Sequence, residues 1–322
     1  MSKIQFASVG DTKKKEVSFD EIAPNVYAYT TQGDPNSGVI IGDKYVMVVE
    51  AQSTPVMAQG VIDKIRTVTD KPIKYVVLTH YHAVRVLGTS AYDASETIMS
   101  EASYDMVVER GQQDYESEVG RFPRLFEAVD TVPGLTWPSI TFTDELTIDL
   151  GNRKVEIKNL GSGHTKGDSI VWLPAEKVLF AGDLVEYGAT PYCGDAQLAE
   201  WPATLDNLLK LEPAFLVPGR GEVASGAKIK QGIDETRRFV TQLLDGAKEA
   251  VKQGLSLEDT YKQVYSDMKK DFGDFSIFDH SMPFNVSRAF DEASGIVHPN
   301  IWNAVRDKEI WYKLQELVQP TT

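Results

Sequence analysis

The sequence predicts a layered α/β domain followed by a helical extension. From about residue 25 to residue 225, short runs rich in Val, Ile, Tyr and Phe alternate with helical stretches. Such alternation is typical of a domain in which helices cover sheets. From about residue 228 onward, apolar residues recur at helical spacing instead. We therefore assign residues 1–227 to the α/β domain and residues 228–322 to a helical extension packed on it.

Nine segments of the α/β domain have the composition of strands, and Gly, Pro, Asp or Asn residues bound them. Several are nearly continuous apolar runs, which is expected where both faces of a sheet are covered. The segment SITFTDELTIDLG is long enough to form a hairpin. The nine segments are NVYAYT, GVIIGD, YVMVVEA, YVVLTH, SITFTDELTIDLG, KVEIKNL, SIVWLP, VLFAGD and AFLVPG.

Helical patterns occur in both parts of the chain. In the α/β domain they lie at residues 54–68 and 204–211, between predicted strands. In the extension, Ser256 followed by Asp259 forms a capping box and predicts the start of a helix. The tail from about 289 to 318 also has a helical pattern.

The segment at about 100–138 has the character of an insertion that carries a helix and an aromatic-rich loop. Loops of this kind often cover active sites, so we predict a lid. Phe122, Phe126 and Trp137 would form the apolar wall of such a lid, or would simply pack in the domain. Both interpretations remain open from the sequence.

The composition restricts the kinds of partner. A formal net charge of −14 argues against a nucleic-acid backbone or an anionic membrane as partner. The single cysteine, Cys193, allows no intramolecular disulfide, and no chemistry is assigned to it. No secretory signal pattern and no apolar run of about 18–20 residues are visible. We expect a cytoplasmic protein with a small-molecule substrate, and the apolar extension helices favour a homodimer.

Three of the five histidines fall at the ends of predicted strands. His80 and His82 follow YVVLT, His164 lies in LGSGHTKGD, and Asp183 ends VLFAGD. Strand ends at one edge of a sheet are where α/β folds assemble sites. One such histidine alone is more often a hydrogen-bonding residue. Together, three imidazoles and a carboxylate predict a site for a divalent metal ion, either Zn²⁺ or else Fe²⁺ or Mn²⁺.

The order THxHxxxxxG, GxGHTxGD, AGD and PGxG, over roughly residues 20–225, resembles the metallo-β-lactamase superfamily. The resemblance implies an αββα sandwich with a metal site at one edge, between the two sheets. It also implies that His80, His82 and His164 are the ligands of a first metal ion. Asp183 matches the carboxylate that bridges two metal ions in such proteins.

The chain departs from the family pattern at the second metal ion. Val84 stands where the family has an aspartate, and Arg85 and Arg220 stand where it has histidines. Arginine stays protonated, cannot bind a metal ion and repels a cation. We therefore predict a mononuclear site in which both arginines lie near the vacant position and pair with Asp183. Whether they also hold a substrate oxyanion or carboxylate remains open.

These observations predict a metal-dependent hydrolase that uses a metal-bound water to cleave an ester-like bond. The bond would be a lactone, carboxylic ester, thioester or sulfate ester, in an anionic or aromatic substrate. Asp183 would orient the water or act as a base, and Arg85 and Arg220 would stabilise developing charge. The alternatives are a mononuclear iron dioxygenase of the same fold and a non-catalytic sensor or scaffold that binds a small anion.

Five further residues are weaker candidates. Asp168 would support a histidine ligand or cap a turn. Glu186 and Tyr187 would line the pocket or lie at the surface. His280 and His298, in the extension, would contact the pocket or serve ordinary packing.

Overall fold

The computed structural model describes residues 5–8 and 15–318. In these residues the strands are Val17–Ala23 (β1), Val26–Thr31 (β2), Ser37–Ile41 (β3), Val46–Val49 (β4), Ile73–Val77 (β5), Glu96–Ser100 (β6), Ile140–Phe142 (β7), Glu145–Asp149 (β8), Lys154–Lys158 (β9), Ile170–Leu173 (β10), Val178–Glu186 (β11), Phe215–Arg220 (β12) and Ala224–Ser225 (β13). The α-helices are Pro55–Arg66 (α1), Ala83–Val86 (α2), Glu101–Arg121 (α3), Trp201–Leu209 (α4), Ala227–Lys252 (α5), Leu257–Phe272 (α6), Phe278–Ala293 (α7) and Ala304–Gln315 (α8). Short 3₁₀ helices span Leu87–Tyr92 and Val129–Thr131.

The strands form two mixed sheets. The first sheet has seven strands in chain order from β1 to β7, antiparallel as far as β4 and parallel from β4 onward. The second has six strands in the order β13-β12-β11-β10-β9-β8, of which only β11 and β12 pair in parallel. Apolar residues on the two inner faces, such as Ile40, Val171 and Phe180, pack into a core between the sheets.

Helices cover both outer faces. Helices α1 and α3 contribute Val61 and Met106 to a core against the first sheet. Helices α4 and α5 pack against the second sheet, and α6 and α7 pack on α5, with Trp201 and Phe239 fully buried in the shared core. The layers are therefore helix, sheet, sheet and helix, which confirms the predicted αββα sandwich with C-terminal helices.

The predicted hairpin in SITFTDELTIDLG is wrong. Strand β7 pairs in parallel with β6 in the first sheet, whereas β8 pairs with β9 in the second. The chain crosses between the sheets at residues 143–144, and Phe142 and Ile148 both face the core that the sheets share. Alternating apolar residues fit either arrangement, because they specify a buried face and not a partner strand. The strands β1, β6 and β13 were not predicted.

The helices of the C-terminal part follow the sequence signals with one exception. The backbone N–H of Asp259 donates to Ser256 Oγ at 3.2 Å, so the predicted cap of α6 is confirmed. The helical pattern over about 289–318 is divided between two helices, because α7 begins at Phe278 and ends at Ala293, and α8 begins only at Ala304. The division of the chain at residue 227 remains a prediction.

Helix α5 is the longest helix of residues 5–8 and 15–318, with 26 residues. Its buried residues lie along one face, and charged residues occupy the other. Neither this helix nor any other in that part of the chain has an apolar stretch that could traverse a lipid bilayer.

Helix α3 buries charged side chains instead of an apolar face at its C-terminal end. Arg110, Asp114, Glu118 and Arg121 lie three or four residues apart along the helix, and each is at most 6% exposed. Charged groups are almost never buried to this extent without partners. The charged face of α3 therefore requires polar partners inside the domain.

His280 on α7 is enclosed by aromatic rings. Its ring lies 5.2 Å from that of Phe122 and 5.8–6.0 Å from those of Phe6, Phe284 and Trp311. Neither ring nitrogen has a hydrogen-bond partner. Burial, with the charge of Arg121 nearby, lowers the pKa of His280 from 6.5 to about 3.

We expect His280→Phe to reduce the decrease in the free energy of unfolding that the wild type shows as the pH falls below 6.5. The unfolded chain binds a proton at His280 below pH 6.5 and the native state does not, so native stability is complete above this pH and decreases below it. At pH 5.5 the loss from this group is about 1.4 kcal/mol. Urea unfolding at pH 7.5, 6.5 and 5.5 measures it. Parallel profiles for the wild type and the variant would contradict this explanation.

Candidate metal centre

His80, His82 and His164 converge at one edge of the sandwich. Their ring centroids lie 4.7–4.9 Å apart and their planes are nearly perpendicular. One nitrogen from each ring falls within a group whose atoms are all within 4.8 Å of one another. All three side chains are at most 2% exposed. This is the arrangement that a three-histidine metal site requires.

The loop that carries His80 and His82 is held by carboxylates. The N–H of Thr79 donates to Glu50 at 2.6 Å. The N–H groups of Ala83 and Val84 donate to Asp114 at 2.7 Å and to Glu118 at 2.6 Å, both on α3. The charged face of α3 thus binds the start of α2 and fixes the two histidines that precede it.

Gly88 closes the same loop against the strand end before it. Its N–H donates to the carbonyl of Gln52 at 2.9 Å. A Cβ atom at this position would lie 2.3 Å from the carbonyl oxygen of Ala51. The final glycine of THxHxxxxxG is therefore required by close backbone contact.

The outer nitrogens of the three rings are all engaged. His82 Nε2 donates to Asp195 Oδ2 at 3.3 Å, and His164 Nδ1 donates to the carbonyl of Tyr192 at 2.9 Å. His80 Nδ1 lies 3.0 Å from the hydroxyl of Thr79. Partners of this kind fix the tautomer of metal-binding histidines.

The inner nitrogens fit a bound cation. When the outer nitrogens carry the protons, His82 Nδ1 and His164 Nε2 face each other with lone pairs at 2.9 Å. His80 Nε2 is buried and has no hydrogen-bond partner at all. A divalent ion would satisfy all three nitrogens at once, and three imidazoles suit Zn²⁺, Fe²⁺ and Mn²⁺.

The pKa values of the histidines differ in direction. Burial lowers the pKa of His80 well below its usual value and that of His164 to about 3. Burial would also lower the pKa of His82, but the carboxylates of Asp114 and Asp195 outweigh it and raise the pKa to about 9. Metal binding requires the neutral form of each ring.

Asp183 connects the histidines with Arg85. Asp183 Oδ2 lies 3.7 Å from His80 Nε2 and 3.6 Å from His164 Nε2. Its other oxygen, Oδ1, accepts a hydrogen bond from Arg85 Nη2. Burial alone would raise the pKa of Asp183, but Arg85 and the neighbouring cationic groups hold it well below its usual range. The carboxylate is therefore ionised and one of its oxygens faces the histidines.

Arg85 is fully buried and bonded to the protein. Besides Asp183, it donates to the carbonyls of Gly219 at 2.8 Å and Asn36 at 3.2 Å. Its Nε lies 3.7 Å from Glu50 Oε2. These contacts agree with a clamp on Asp183 and Glu50, and the predicted substrate contact of Arg85 remains a prediction.

Arg220 differs from Arg85, although the sequence predicts that both pair with Asp183. Its Nη1 donates to the carbonyl of Gly33 at 3.1 Å, and its Nε lies 3.9 Å from Glu186. No direct ion pair joins Arg220 to Asp183 in residues 5–8 and 15–318, although its charge lowers the pKa of that carboxyl. Arg220 therefore acts on Asp183 only over a longer distance.

The structure places three of the weaker candidates. Asp168 accepts from the N–H of Thr165 at 2.9 Å and from its hydroxyl at 2.7 Å, which is the predicted turn role. Glu186 is buried beside Arg220, whereas Tyr187 lines a separate cavity of about 1200 Å³ that the three histidines do not line.

The other candidates do not contact the histidines. His280 lies in the aromatic cluster described above, and His298 is 60% exposed and bonded to Glu109. Phe122 and Phe126 are buried in the core beside the first sheet. Trp137 is 53% exposed, so the three aromatic residues form no common wall.

Several supporting residues were not predicted from the sequence. Asp195 binds His82 and is itself fixed by Arg110 Nη1 at 2.8 Å. Arg110, Asp114 and Glu118 share one face of α3, and this spacing of charges was a detectable signal. Glu50 and Asp195 had no local signal, because only the fold brings them to the site.

Comparison with known proteins is consistent with this geometry. The model of the family described as the metallo-beta-lactamase superfamily matches residues 30–220, more than half of the chain. The chain belongs to the metallo-beta-lactamase superfamily. The superfamily is one of metallo-hydrolases, and the three-histidine cluster of this chain is suited to a divalent metal ion.

Individual relatives of the superfamily match parts of the chain. A metallo-beta-lactamase type 2 of Bacteroides fragilis is 33% identical over 117 residues, 35% of this chain and 45% of that protein. One from Bacillus cereus is 25% identical over 68% of this chain and 82% of its own length. A linear primary-alkylsulfatase of a Pseudomonas species is 22% identical over 68% of this chain and 48% of its own length.

The fold of the superfamily is also found among solved structures. The metallo-beta-lactamase from Pontibacter korlensis superposes with a TM-score of 0.56 at 19% identity, covering 70% of this chain and 99% of that chain. About a third of the present chain therefore has no counterpart in that superposition.

We expect Asp195→Asn to weaken zinc binding about 10–100-fold, the range typical for partners of metal-binding histidines. The side-chain oxygen of asparagine can still accept a hydrogen bond from His82. It carries no negative charge, however, that would favour the zinc-bound state. Zinc dissociation constants from competition with a chromogenic chelator measure the effect. Asp245→Asn, at an exposed position on α5, is the matched control. Equal dissociation constants for the two variants would exclude a supporting role for Asp195.

We expect Arg85→Met to destabilise the fold by about 3–5 kcal/mol, because Asp183 and Glu50 would stay buried after losing the guanidinium that lies against both of them. Chemical unfolding at pH 7.5 measures the loss. Arg66→Met, at an exposed arginine of α1, is the matched control. A loss below about 1 kcal/mol would contradict the clamp.

Proposed function

We propose that this protein is a hydrolase that uses a single divalent metal ion, zinc, to cleave an ester-like bond. His80, His82 and His164 would hold the ion. The observation that carries the proposal is the convergence of these three rings beside an ionised Asp183, whose other side is occupied by Arg85.

The surroundings of Asp183 support one ion. A second ion next to Asp183 would lie beside the guanidinium of Arg85, which is fully buried and stays protonated. The side chain of Val84 is buried in the apolar core and offers no ligand atom. Arg220 adds a second positive charge near the same carboxylate. Repulsion and the lack of ligands both act against a second cation.

The residues at the site suit hydrolysis. A bound divalent ion supplies a Lewis acid and lowers the pKa of a coordinated water toward about 7. Asp183 Oδ2, kept ionised by Arg85, can accept a hydrogen bond from water beside His80 and His164, and orient it. Burial of the whole group strengthens these electrostatic interactions.

The class of bond rests on weaker support. One relative is named a linear primary-alkylsulfatase, and this favours sulfate esters among the candidate substrates. Lactones, carboxylic esters and thioesters remain in the proposal, because their hydrolysis needs the same nucleophile and the same stabilisation of negative charge. The substrate would be a small molecule, as expected from the sequence.

The test is a panel of lactone, carboxylic ester, thioester and sulfate ester substrates with the wild type and His80→Ala. We expect hydrolysis of at least one substrate class. This activity should be lost when a chelator removes the metal ion and should return when zinc is added. His80→Ala should lose at least about 100-fold in kcat/KM and not recover with zinc.

Two results would contradict the proposal. Stoichiometric iron in the purified protein with oxygen uptake would indicate a dioxygenase. The absence of turnover in every class, with His80→Ala identical to the wild type in all assays, would indicate a sensor or scaffold.

A further inference from the structure

A second group of buried polar side chains lies beside the histidines. It comprises Ser117 and Arg121 on α3, Asp307 on α8 and the hydroxyl of Tyr192, and we call it the Arg121 cluster. Ser117, Arg121 and Asp307 are each at most 1% exposed. The site proposed for hydrolysis uses none of these side chains.

The Arg121 cluster is unusual because most of its polar atoms lack partners. Arg121 Nε and Nη1 and Tyr192 Oη are buried without a hydrogen-bond partner. The Ser117 hydroxyl donates to Asp307 and so lowers the pKa of that carboxyl, and the carboxylate has no other hydrogen-bond partner. The remaining nitrogen, Arg121 Nη2, lies 3.5 Å from Glu118 Oε1. The other oxygen of Glu118 already accepts from Val84. Buried polar atoms are nearly always hydrogen-bonded in native proteins. We therefore expect a bound polar molecule at these side chains.

Aromatic rings fix the position of the Arg121 guanidinium but leave its Nε and Nη1 groups without hydrogen-bond acceptors. Arg121 lies 4.4 Å from the ring of Tyr192, 5.0 Å from Phe284 and 5.4 Å from Phe122. Such contacts stabilise the charge through the ring faces but leave N–H groups free to donate. Arg121 is therefore fixed in position with unused donors.

Asp307 supplies the opposite charge in the Arg121 cluster. Burial raises its pKa and the charge of Arg121 opposes this, so the two groups are within electrostatic reach. Helices α3 and α8, which carry the two side chains, pack against each other, and no hydrogen bond joins Arg121 to Asp307. Both buried charges therefore keep the capacity to bond a further polar group.

The Arg121 cluster adjoins the metal centre. The carbonyl of Tyr192 accepts from His164, and its ring centroid lies 5.7 Å from that of His82. Glu118, one turn before Arg121 on α3, binds the N–H of Val84. A molecule in the cluster would thus lie close to a bond presented to the histidines.

We propose that the Arg121 cluster binds a small carboxylate that carries a hydroxyl or ammonium group beside it, as the polar end of the substrate. Carboxylate oxygens would accept from Arg121 and Tyr192, and the hydroxyl or ammonium group would donate to Asp307. The assignment of this ligand as part of the substrate rests on the proposed hydrolase function. The binding of the ligand does not.

The test is calorimetric titration of the purified protein with glycolate and glycine, compared with acetate. Glycolate or glycine should bind at least about tenfold more tightly than acetate, because acetate itself offers no donor to Asp307. Arg121→Gln and Asp307→Asn should abolish this preference. Arg66→Gln, on the remote helix α1, should retain it. Because both probes also chelate metal ions, the metal content of each variant is measured alongside.

Tyr192→Phe serves if the buried variants unfold, since it removes one hydroxyl only and should weaken glycolate binding several-fold. Failure of all probes to bind the folded wild type would overturn the proposal. So would a preference that Arg121→Gln leaves unchanged, or a high-resolution crystal structure with glycolate that shows only water in the cluster. Binding to the cluster without hydrolysis of any ester would contradict the proposed hydrolase function and leave the ligand site intact.

Discussion

The buried ion pair between Arg85 and Asp183 is the interaction on which the rest of the site depends. It keeps the buried carboxylate ionised, and it leaves the other oxygen of Asp183 facing His80 and His164. The backbone is shaped around this pair. A Cβ atom at Gly219 would lie 2.1 Å from Asp183 Oδ1, and the carbonyl of Gly219 accepts from Arg85. Gly219, the first glycine of PGxG, is thus needed for the ion pair between Arg85 and Asp183 to form.

A second level of support comes from helix α3. Its buried carboxylates bind the backbone that follows His82, and Arg110 fixes Asp195, which binds the ring of His82. Helix α8 packs against α3 and carries Asp307, and Phe284 of α7 contacts Arg121 of α3. The C-terminal helices therefore contribute polar groups beside the metal centre, in addition to covering the second sheet.

The fold and the histidine cluster were the parts that the sequence could predict. Nearly continuous apolar runs marked the strands of both sheets, and strand ends located His80, His82 and His164. The partner of each strand was less predictable, as the wrong hairpin around Phe142 and Ile148 illustrates. Sheet membership depends on contacts between distant segments, which a pattern of buried positions does not contain.

The electrostatic environment was harder to predict than the ligands. The identity of Arg85 indicated that it would pair with Asp183. Glu50 and Asp195, in contrast, lie far in the sequence from the residues that they contact, in segments without a recognisable motif. The predicted pairing of Arg220 failed for a related reason, since Glu186 and the carbonyl of Gly33 are closer acceptors. Which acceptor an arginine contacts depends on distances that only the folded chain sets.

The central claim is that Arg85 replaces a second metal ion next to Asp183. Anomalous diffraction from crystals of the wild type, grown with excess zinc and recorded on both sides of the zinc absorption edge, tests it most directly. The account predicts one zinc peak per chain, among the rings of His80, His82 and His164, with Arg85 still bonded to Asp183. Two peaks on either side of Asp183, with the guanidinium displaced, would contradict it.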